Sequence, residues 1–381
     1  MKILIVTERR ADFSRYKPIL NLIKKEKKLN YQLVVTGLHL IKKYGYTVKE
    51  IIESNFKVNS KFKMFDKKSN LENDGAAMSF SMGKAFCALS KILKKNKPDL
   101  ILSGFDIAAN FAVTVCGAHM NIPIAHIQGG EVSGTIDESL RHGMSKFSNF
   151  HFTANNETKK RLIKMGEVSK NIFAVGCPSI DALVCEKEIH RNQILKKFKI
   201  DILKPFTITI QHPVTSELNQ SEKQMIETIN AIKSFNIQHL IVFPNNDAGS
   251  NKILKIIKKS KLNFTPTLNL SEYKTLLKHC EILIGNSSSG IHEASTYKIP
   301  VINIGTRQNG RAKPKNVINV KYNRKEIAKA IKKGLSNSFH NKIKNIKNPY
   351  GDGNSAKKII RIIKKLKLKN FNTQKKNNLL A

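Results

Sequence analysis

The chain has 381 residues, 40% of them hydrophobic, which is enough to build two cores rather than one. Lysine and arginine number 67 against 28 acidic residues, a net charge of +39. Only 10 of the basic residues are arginine and the lysines are spread over the whole chain among Asn and Ile. That distribution, with no zinc-finger, ribonucleoprotein or basic-zipper pattern, argues against a nucleic-acid partner and leaves a field that favours a small anionic substrate.

Short apolar runs alternate with helical patterns along the first half. Strands are expected at residues 3–7, 32–36, 100–104, 122–127, 150–153 and 172–175, with helices at 14–27, 46–53, 76–95 and 108–120. After the lysine-rich segment 186–204 the rhythm resumes, with strands at 206–211, 239–243, 282–285 and 301–304. Helices fall at 221–234, 250–259, 271–280, 288–296 and 324–336. Such βαβ alternation predicts doubly wound parallel sheets. A last amphipathic helix is expected over 355–368, and the polar remainder 370–381 is expected to carry no structure. The boundaries implied are 1–180 and 181–353 for two domains, 354–369 for the closing helix and 370–381 for the tail. No apolar run approaches membrane-spanning length. The five cysteines, odd in number and without a C-x-x-C pair, suit reduced thiols in a cytoplasmic protein.

The chemistry concentrates at strand ends. Residues 126–142, H-I-Q-G-G-E-V-S-G-T-I-D-E-S-L-R-H, leave the strand at 122–127 through Gly129 and Gly130, with Glu131 and Asp137 close behind. In open α/β sheets ligands sit outside the carboxyl ends of strands, and a glycine pair serves either a tight turn or a close approach to a ligand. Arg10 follows the first strand, where a guanidinium near a helix N-terminus can grip phosphate. Asp106 follows the strand at 100–104. Together Asp106, Glu131 and Asp137 could supply the carboxylates that proton transfer at carbon needs. Taken singly, each is equally well a solvated acid at a helix start.

In the second half, Q-H-P-V-T (211–215) sets His212 at a strand end, its turn fixed by proline. The run G-N-S-S-S-G-I-H-E (285–293) leads from strand into helix, so that hydroxyls and backbone N–H groups can cradle a diphosphate. It is neither a Walker A sequence nor G-x-G-x-x-G. Glu293, about one turn in, can accept hydrogen bonds from a ribose. G-T-R-Q-N-G-R (305–311) adds cationic reach.

At these residues the chain resembles, nearly end to end, the hydrolysing UDP-N-acetylglucosamine 2-epimerases of sialic and legionaminic acid synthesis. The matching pieces are R-A-D-F-S (10–14), H-L-I-K-K-Y-G (39–45), G-G-E-V-S-G-T-I-D-E-S-L-R-H (129–142), G-C-P-S-I-D (176–181), Q-H-P-V-T, F-P-N-N-D-A-G-S (243–250), G-N-S-S-S-G, G-T-R-Q-N-G-R and Y-G-D-G-N (350–354). The resemblance implies two Rossmann-like domains facing a cleft, GT-B-like, with the C-terminal helix crossing back to the first. It implies elimination of UDP across C1–C2 and water addition to the glycal, without metal or redox cofactor, in a homo-oligomer (dimer or tetramer) with a UDP-sugar as substrate. By position it assigns Asp106, Glu131, Asp137 and His212 to the chemistry. Arg10, His39, Arg141, Asn286, Ser287, Ser288, Glu293 and Arg307 go to UDP-sugar binding.

Gln128 belongs to the catalytic set by place, because some members carry a catalytic glutamate there. A carboxamide exchanges no proton at neutral pH, so the base must be one of the other residues. The family's usual G-D-R also becomes F-D-I at residues 105–107. The alternative implied is a GT-B glycosyltransferase, or a nucleotide-sugar binder with altered chemistry.

Overall fold

The computed structural model of the chain describes residues 1–65, 75–105, 107–245, 247–375 and 378. Two units make it up. The first comprises Met1–Glu131, Ile136–Ala182 and Tyr350–Ala381, and the second Val132–Thr135 and Leu183–Pro349. Among the described residues no helix is long and apolar enough to cross a membrane.

The first unit is built on seven parallel strands: β1 (Lys2–Thr7), β2 (Asn30–Val35), β3 (Ser60–Lys61), β4 (Leu100–Gly104), β5 (Ile124–Ile127), β6 (Phe150–Thr153) and β7 (Ile172–Ala174), in the order β3-β2-β1-β4-β5-β6-β7. Successive residues of β1 point to opposite faces. Ile3 and Ile5 enter one core with Tyr16, Ile19 and Ile23 of the helix Arg10–Lys25 and with Ile359, Ile360 and Ile363 of the helix Ser355–Ile363. Leu4 and Val6 enter the other, with Leu89 and Leu93 of the helix Gly75–Asn96 and Val113 of the helix Ala108–His119. Burial on both faces is why these strands read as continuous apolar runs.

The second unit repeats the plan with β8 (Phe206–Ile210), β9 (Gln238–Val242), β10 (Asn263–Thr265), β11 (Ile282–Gly285), β12 (Val301–Ile304) and β13 (Val317–Val320), all parallel, in the order β10-β9-β8-β11-β12-β13. Both sheets reverse direction of strand order beside their first strand, at β1/β4 and at β8/β11. Those are the places where doubly wound sheets bind ligands.

Three features depart from expectation. The first helix begins at Arg10 rather than residue 14, because the buried Asp12 carboxylate accepts the Glu8 and Arg9 N–H groups at 2.8 Å each and so closes the helix start. The edge strands β3, β10 and β13 were not expected: β3 (S-K) and β10 (N-F-T) are only two and three residues long, and β13 (V-I-N-V) is a four-residue run at the opposite edge from β10. Residues 370–375 were expected without structure, yet Phe371 packs on Phe150 at 5.1 Å between ring centroids. Lys375 Nζ also donates to Ser145 O at 2.7 Å and to the buried Glu167 carboxylate at 2.5 Å. Burial pushes the Glu167 carboxyl up, but the hydrogen bonds and charges of His151 and Lys375 outweigh it and hold it at about 2.

Two of the motifs turn out to clasp each other within the first unit. Cys177 N donates to Tyr350 O at 2.7 Å. The Asp181 carboxylate accepts Ser355 N at 3.1 Å, Ser355 Oγ at 2.5 Å and Ala356 N at 2.7 Å, capping the closing helix. G-C-P-S-I-D and Y-G-D-G-N are therefore two halves of one joint.

Candidate active site

In the first unit the turn after β5 is dictated by packing. Gln128 has φ +62° and its N donates to Phe152 O at 2.8 Å. A Cβ on Gly129 would lie 3.0 Å from His126 Nδ1. One on Gly130, at φ +78°, would lie 2.5 Å from Thr158 O. The glycine pair thus lets the turn press onto the protein's own side chains and helix Asn156–Lys164. Guanidinium groups hold the next two backbone carbonyls: Arg161 Nη1 donates to Gly130 O at 2.6 Å, and Arg141 Nη1 to Glu131 O at 2.9 Å. Arg141, expected to bind the nucleotide sugar, is buried and orients the Glu131 backbone.

Glu131 is buried at 3% exposure, while Asp137 is partly exposed in the first turn of the helix Asp137–Phe147. The Gln128 carboxamide is also buried, donating from Nε2 to Cys177 Sγ at 3.0 Å. Burial pushes the Cys177 thiol up to about 11, so the thiol remains a neutral acceptor and holds the amide. No part of the sequence pattern pointed to Cys177 in that role.

Beside the β1/β4 reversal, the Glu8 carboxylate accepts Ala109 N at 3.1 Å and so ties the loop after β1 to the helix after β4. Phe105 there has φ +69° and stacks edge-on against Tyr16 at 4.8 Å. Asp106 lies outside the described residues. Arg10 Nε donates to Glu50 Oε2 at 3.0 Å, a carboxylate partner the sequence did not suggest. His39 is wholly buried, Nε2 lying 3.0 Å from Thr7 Oγ1 and Nδ1 2.6 Å from Thr47 Oγ1. Burial lowers its imidazolium to about 4. Both ring nitrogens are occupied within the fold, which makes His39 a strut of the β1 loop.

In the second unit Asn286 is the centre. It follows β11 at the β8/β11 reversal, after Gly285 at φ +122°, where a Cβ would stand 2.1 Å from Ile210 O. Its Oδ1 accepts His212 N at 2.7 Å and its Nδ2 donates to His212 O at 2.9 Å and to Tyr322 Oη at 3.3 Å. Its carbonyl accepts Gln308 Nε2 at 2.8 Å and Arg307 Nη1 at 3.3 Å. Asn286 is fully buried, and these bonds make it the clamp that sets His212 and the 305–311 loop. Burial pushes the Tyr322 phenol up to about 12, which keeps it protonated.

The same loop holds the segment Val132–Thr135: Arg311 Nε donates to Val132 O at 2.9 Å, and Gly134 N to Arg307 O at 3.1 Å. Ser287 caps the helix Ser288–His292, with its Oγ 3.0 Å from Ser289 Oγ. The helix expected over 288–296 is thus broken at Glu293 and continues as a 3-10 turn, Ala294–Tyr297. Ser287, Ser288 and Glu293 are partly exposed. Tyr273 lies behind them, its phenol raised well above the usual tyrosine range by burial and by the Glu293 charge. Among the described residues no group of three or more His, Cys, Asp or Glu is placed to hold a metal ion.

The chain is 32% identical over 372 residues, 96% of each chain, to the UDP-N,N'-diacetylbacillosamine 2-epimerase (hydrolyzing) of Legionella pneumophila. It is 32% identical over 338 residues, 88% of each, to the UDP-N-acetylglucosamine 2-epimerase of Neisseria meningitidis. The crystal structure of UDP-GlcNAc 2-epimerase from Neisseria meningitidis bound to UDP-GlcNAc superposes with a TM-score of 0.82 at 18% identity, over 96% of this chain and 100% of that one, a likeness of fold. Two parallel α/β units with GT-B-like character and a family model, UDP-N-acetylglucosamine 2-epimerase, matching residues 21–364 lead to one conclusion: this enzyme belongs to the UDP-N-acetylglucosamine 2-epimerase family.

Proposed function

We propose that the enzyme hydrolyses a UDP-2-acetamido sugar, UDP-N-acetylglucosamine or a 2,4-diacetamido analogue, to UDP and the free 2-epimer, in nonulosonate synthesis. The observation that carries this reading is the end-to-end likeness, 96% of each chain, to a relative named as a hydrolysing 2-epimerase. The diphosphate is assigned to Ser287 and Ser288, with Arg307 and Arg10 as cations, and the ribose to Glu293.

The chemistry is redox-neutral. A carboxylate among Asp106, Glu131 and Asp137 takes the C2 proton, the pair forms C1=C2, and the C1–O pair leaves with UDP. Water then supplies hydroxyl to C1 and a proton returns to C2 on the opposite face. The buried Glu131 backbone, held by Arg141, supports a positioned carboxylate, since an acid/base group must be fixed within hydrogen-bond reach of the proton it moves. Gln128 is assigned to orientation, fixed by Cys177, and not to proton transfer.

The reading calls on no metal or redox cofactor and places the enzyme in the cytoplasm as a dimer or tetramer, which light scattering would measure. Its test is a panel of UDP-sugars incubated without any acceptor. UDP and a free manno-configured sugar are expected together. UDP release only when an acceptor is added would instead mean a glycosyltransferase and would overturn the reading.

A further inference from the structure

Beyond the closing helix, residues 371–375 run along the first unit as an extended strap. Phe371, Thr373 and Lys375 are partly buried while Asn372 and Gln374 are exposed, the two-residue period of an extended chain. Phe371 packs on Phe150, Asn149 Nδ2 donates to Thr373 O at 3.0 Å, and Thr373 Oγ1 donates to Asn121 Oδ1 at 3.2 Å. These contacts turn Lys375 inward, where its Nζ meets Ser145 O and the buried Glu167 carboxylate. Ser145 lies near the C-terminal end of the helix Asp137–Phe147, where the carbonyls of a helix favour positive charge.

Ser145 is where this cation reaches the turn after β5. Its hydroxyl donates to Arg141 O at 3.0 Å, so its one hydrogen is used and it accepts from His126 Nδ1 at 3.1 Å. The turn rests on that pair: a Cβ at Gly129 would lie 3.0 Å from His126 Nδ1 and 3.2 Å from Ser145 Oγ. One helical turn before Ser145, Arg141 holds Glu131 O. A second route passes through the carboxylate. Glu167 lies 3.1 Å from His151 Nε2, and His151 stands beside His126 in the register of β5 and β6, ring centroids 6.4 Å apart. Ser145, Arg141, His126, His151 and Glu167 are all buried, and a close-packed interior passes a displacement on to its neighbours. We propose that Lys375 is a positioning residue: the strap seats its ammonium on Ser145 and Glu167, and that contact fixes the Gln128–Glu131 turn and with it the Glu131 carboxylate. This rests on the hydrolysing-epimerase reading, in which Glu131 is among the carboxylates that move the C2 proton. Lys375 itself transfers no proton and acts through Ser145, Arg141 and His126. Without it Glu167 keeps His151, and also Lys146, whose Nζ lies 3.3 Å from the other carboxylate oxygen, so the fold survives its loss.

The test uses the full-length enzyme and a UDP-sugar from which it releases UDP. Lys375→Met should lower kcat by about tenfold to 10²-fold with Tm close to wild type. KM should stay unchanged, since none of the residues assigned to the diphosphate or ribose lies on the path. Lys375→Arg, which keeps the charge and the donors, should restore most of the rate. Ser145→Ala should lose kcat in the same way, and it keeps the test open should Lys375→Met fail to fold. The double variant should lose little more than either single one, because the two act on one path. Hydrogen exchange supplies an arm that needs no turnover: amides of residues 128–131 and 141–145 should open faster in Lys375→Met, with the second unit unaltered. Full kcat in Lys375→Met, or a loss that arginine fails to restore, would overturn the proposal. So would additive losses in the double variant, or faster exchange spread evenly through the first unit. If the wild-type enzyme releases UDP from no UDP-sugar, the epimerase reading fails instead, and the exchange arm still decides whether Lys375 holds the turn.

Discussion

Replacing Asp181 by alanine removes a cap that three hydrogen bonds define. The carboxylate accepts Ser355 N, Ser355 Oγ and Ala356 N at 3.1, 2.5 and 2.7 Å. Loss of an N-terminal cap costs about 1–2 kcal/mol, and buried donors left without an acceptor cost about 1–3 kcal/mol each. Against that stands the cost of burying the carboxylate, which is large enough to raise the Asp181 pKa in spite of its hydrogen bonds. A net destabilisation of about 3 kcal/mol results, equivalent to a drop in Tm of roughly 6–12 °C for a unit of this size. Asp181→Asn keeps one acceptor oxygen but turns an NH2 toward donors, so it should recover less than half of the loss. The assay is thermal unfolding monitored by circular dichroism, with hydrogen exchange of the Ser355–Ile363 amides to locate the effect. A change in Tm below about 2 °C, or faster exchange spread evenly over the first unit, would refute the clasp.

Other expectations rest on the same kinds of contact. With its imidazolium lowered to about 4, His39 is neutral in the fold and charged in the unfolded chain below its usual range. It therefore contributes about 3 kcal/mol that is present above about pH 6.5 and lost as the pH falls toward 4. His39→Gln should flatten that part of a stability-against-pH curve, and an unchanged slope would contradict the assignment. Gly130→Ala forces φ +78° and a Cβ 2.5 Å from Thr158 O, so a loss of at least about 2 kcal/mol is expected in urea titration. A near-neutral result would show that the turn relaxes. Ser287→Ala and Glu293→Gln should weaken UDP binding by about tenfold in calorimetry, about 1.4 kcal/mol each, with the fold intact.

The legible part of the sequence was whatever repeats with a period. The apolar runs of β1, β4, β8 and β11 announced parallel strands, and the polar residues at their ends announced where chemistry sits. Periodicity could not separate a residue that faces ligand from one that supports its neighbour. His39, Arg141 and Asn286 share the motifs of the binding residues, yet each is buried with its polar atoms turned to the fold. That distinction depends on which elements meet in space. Gly129 and Gly130 show the same ambiguity, because a close approach to His126 and Thr158 looks, in one dimension, like a close approach to a ligand. Cys177 and Asp181 were invisible as partners because the residues they hold lie 49 and 174 positions away.

The central claim is that UDP leaves by elimination and that C2 is reprotonated from solvent. Incubating the enzyme with UDP-N-acetylglucosamine and its 2,4-diacetamido analogue in heavy water, and reading the free sugar by mass spectrometry and proton NMR, tests it directly. One deuterium at C2 of an inverted product, formed with one equivalent of UDP, is the result predicted. Release of UDP with the sugar's C2 configuration and hydrogen retained would contradict it.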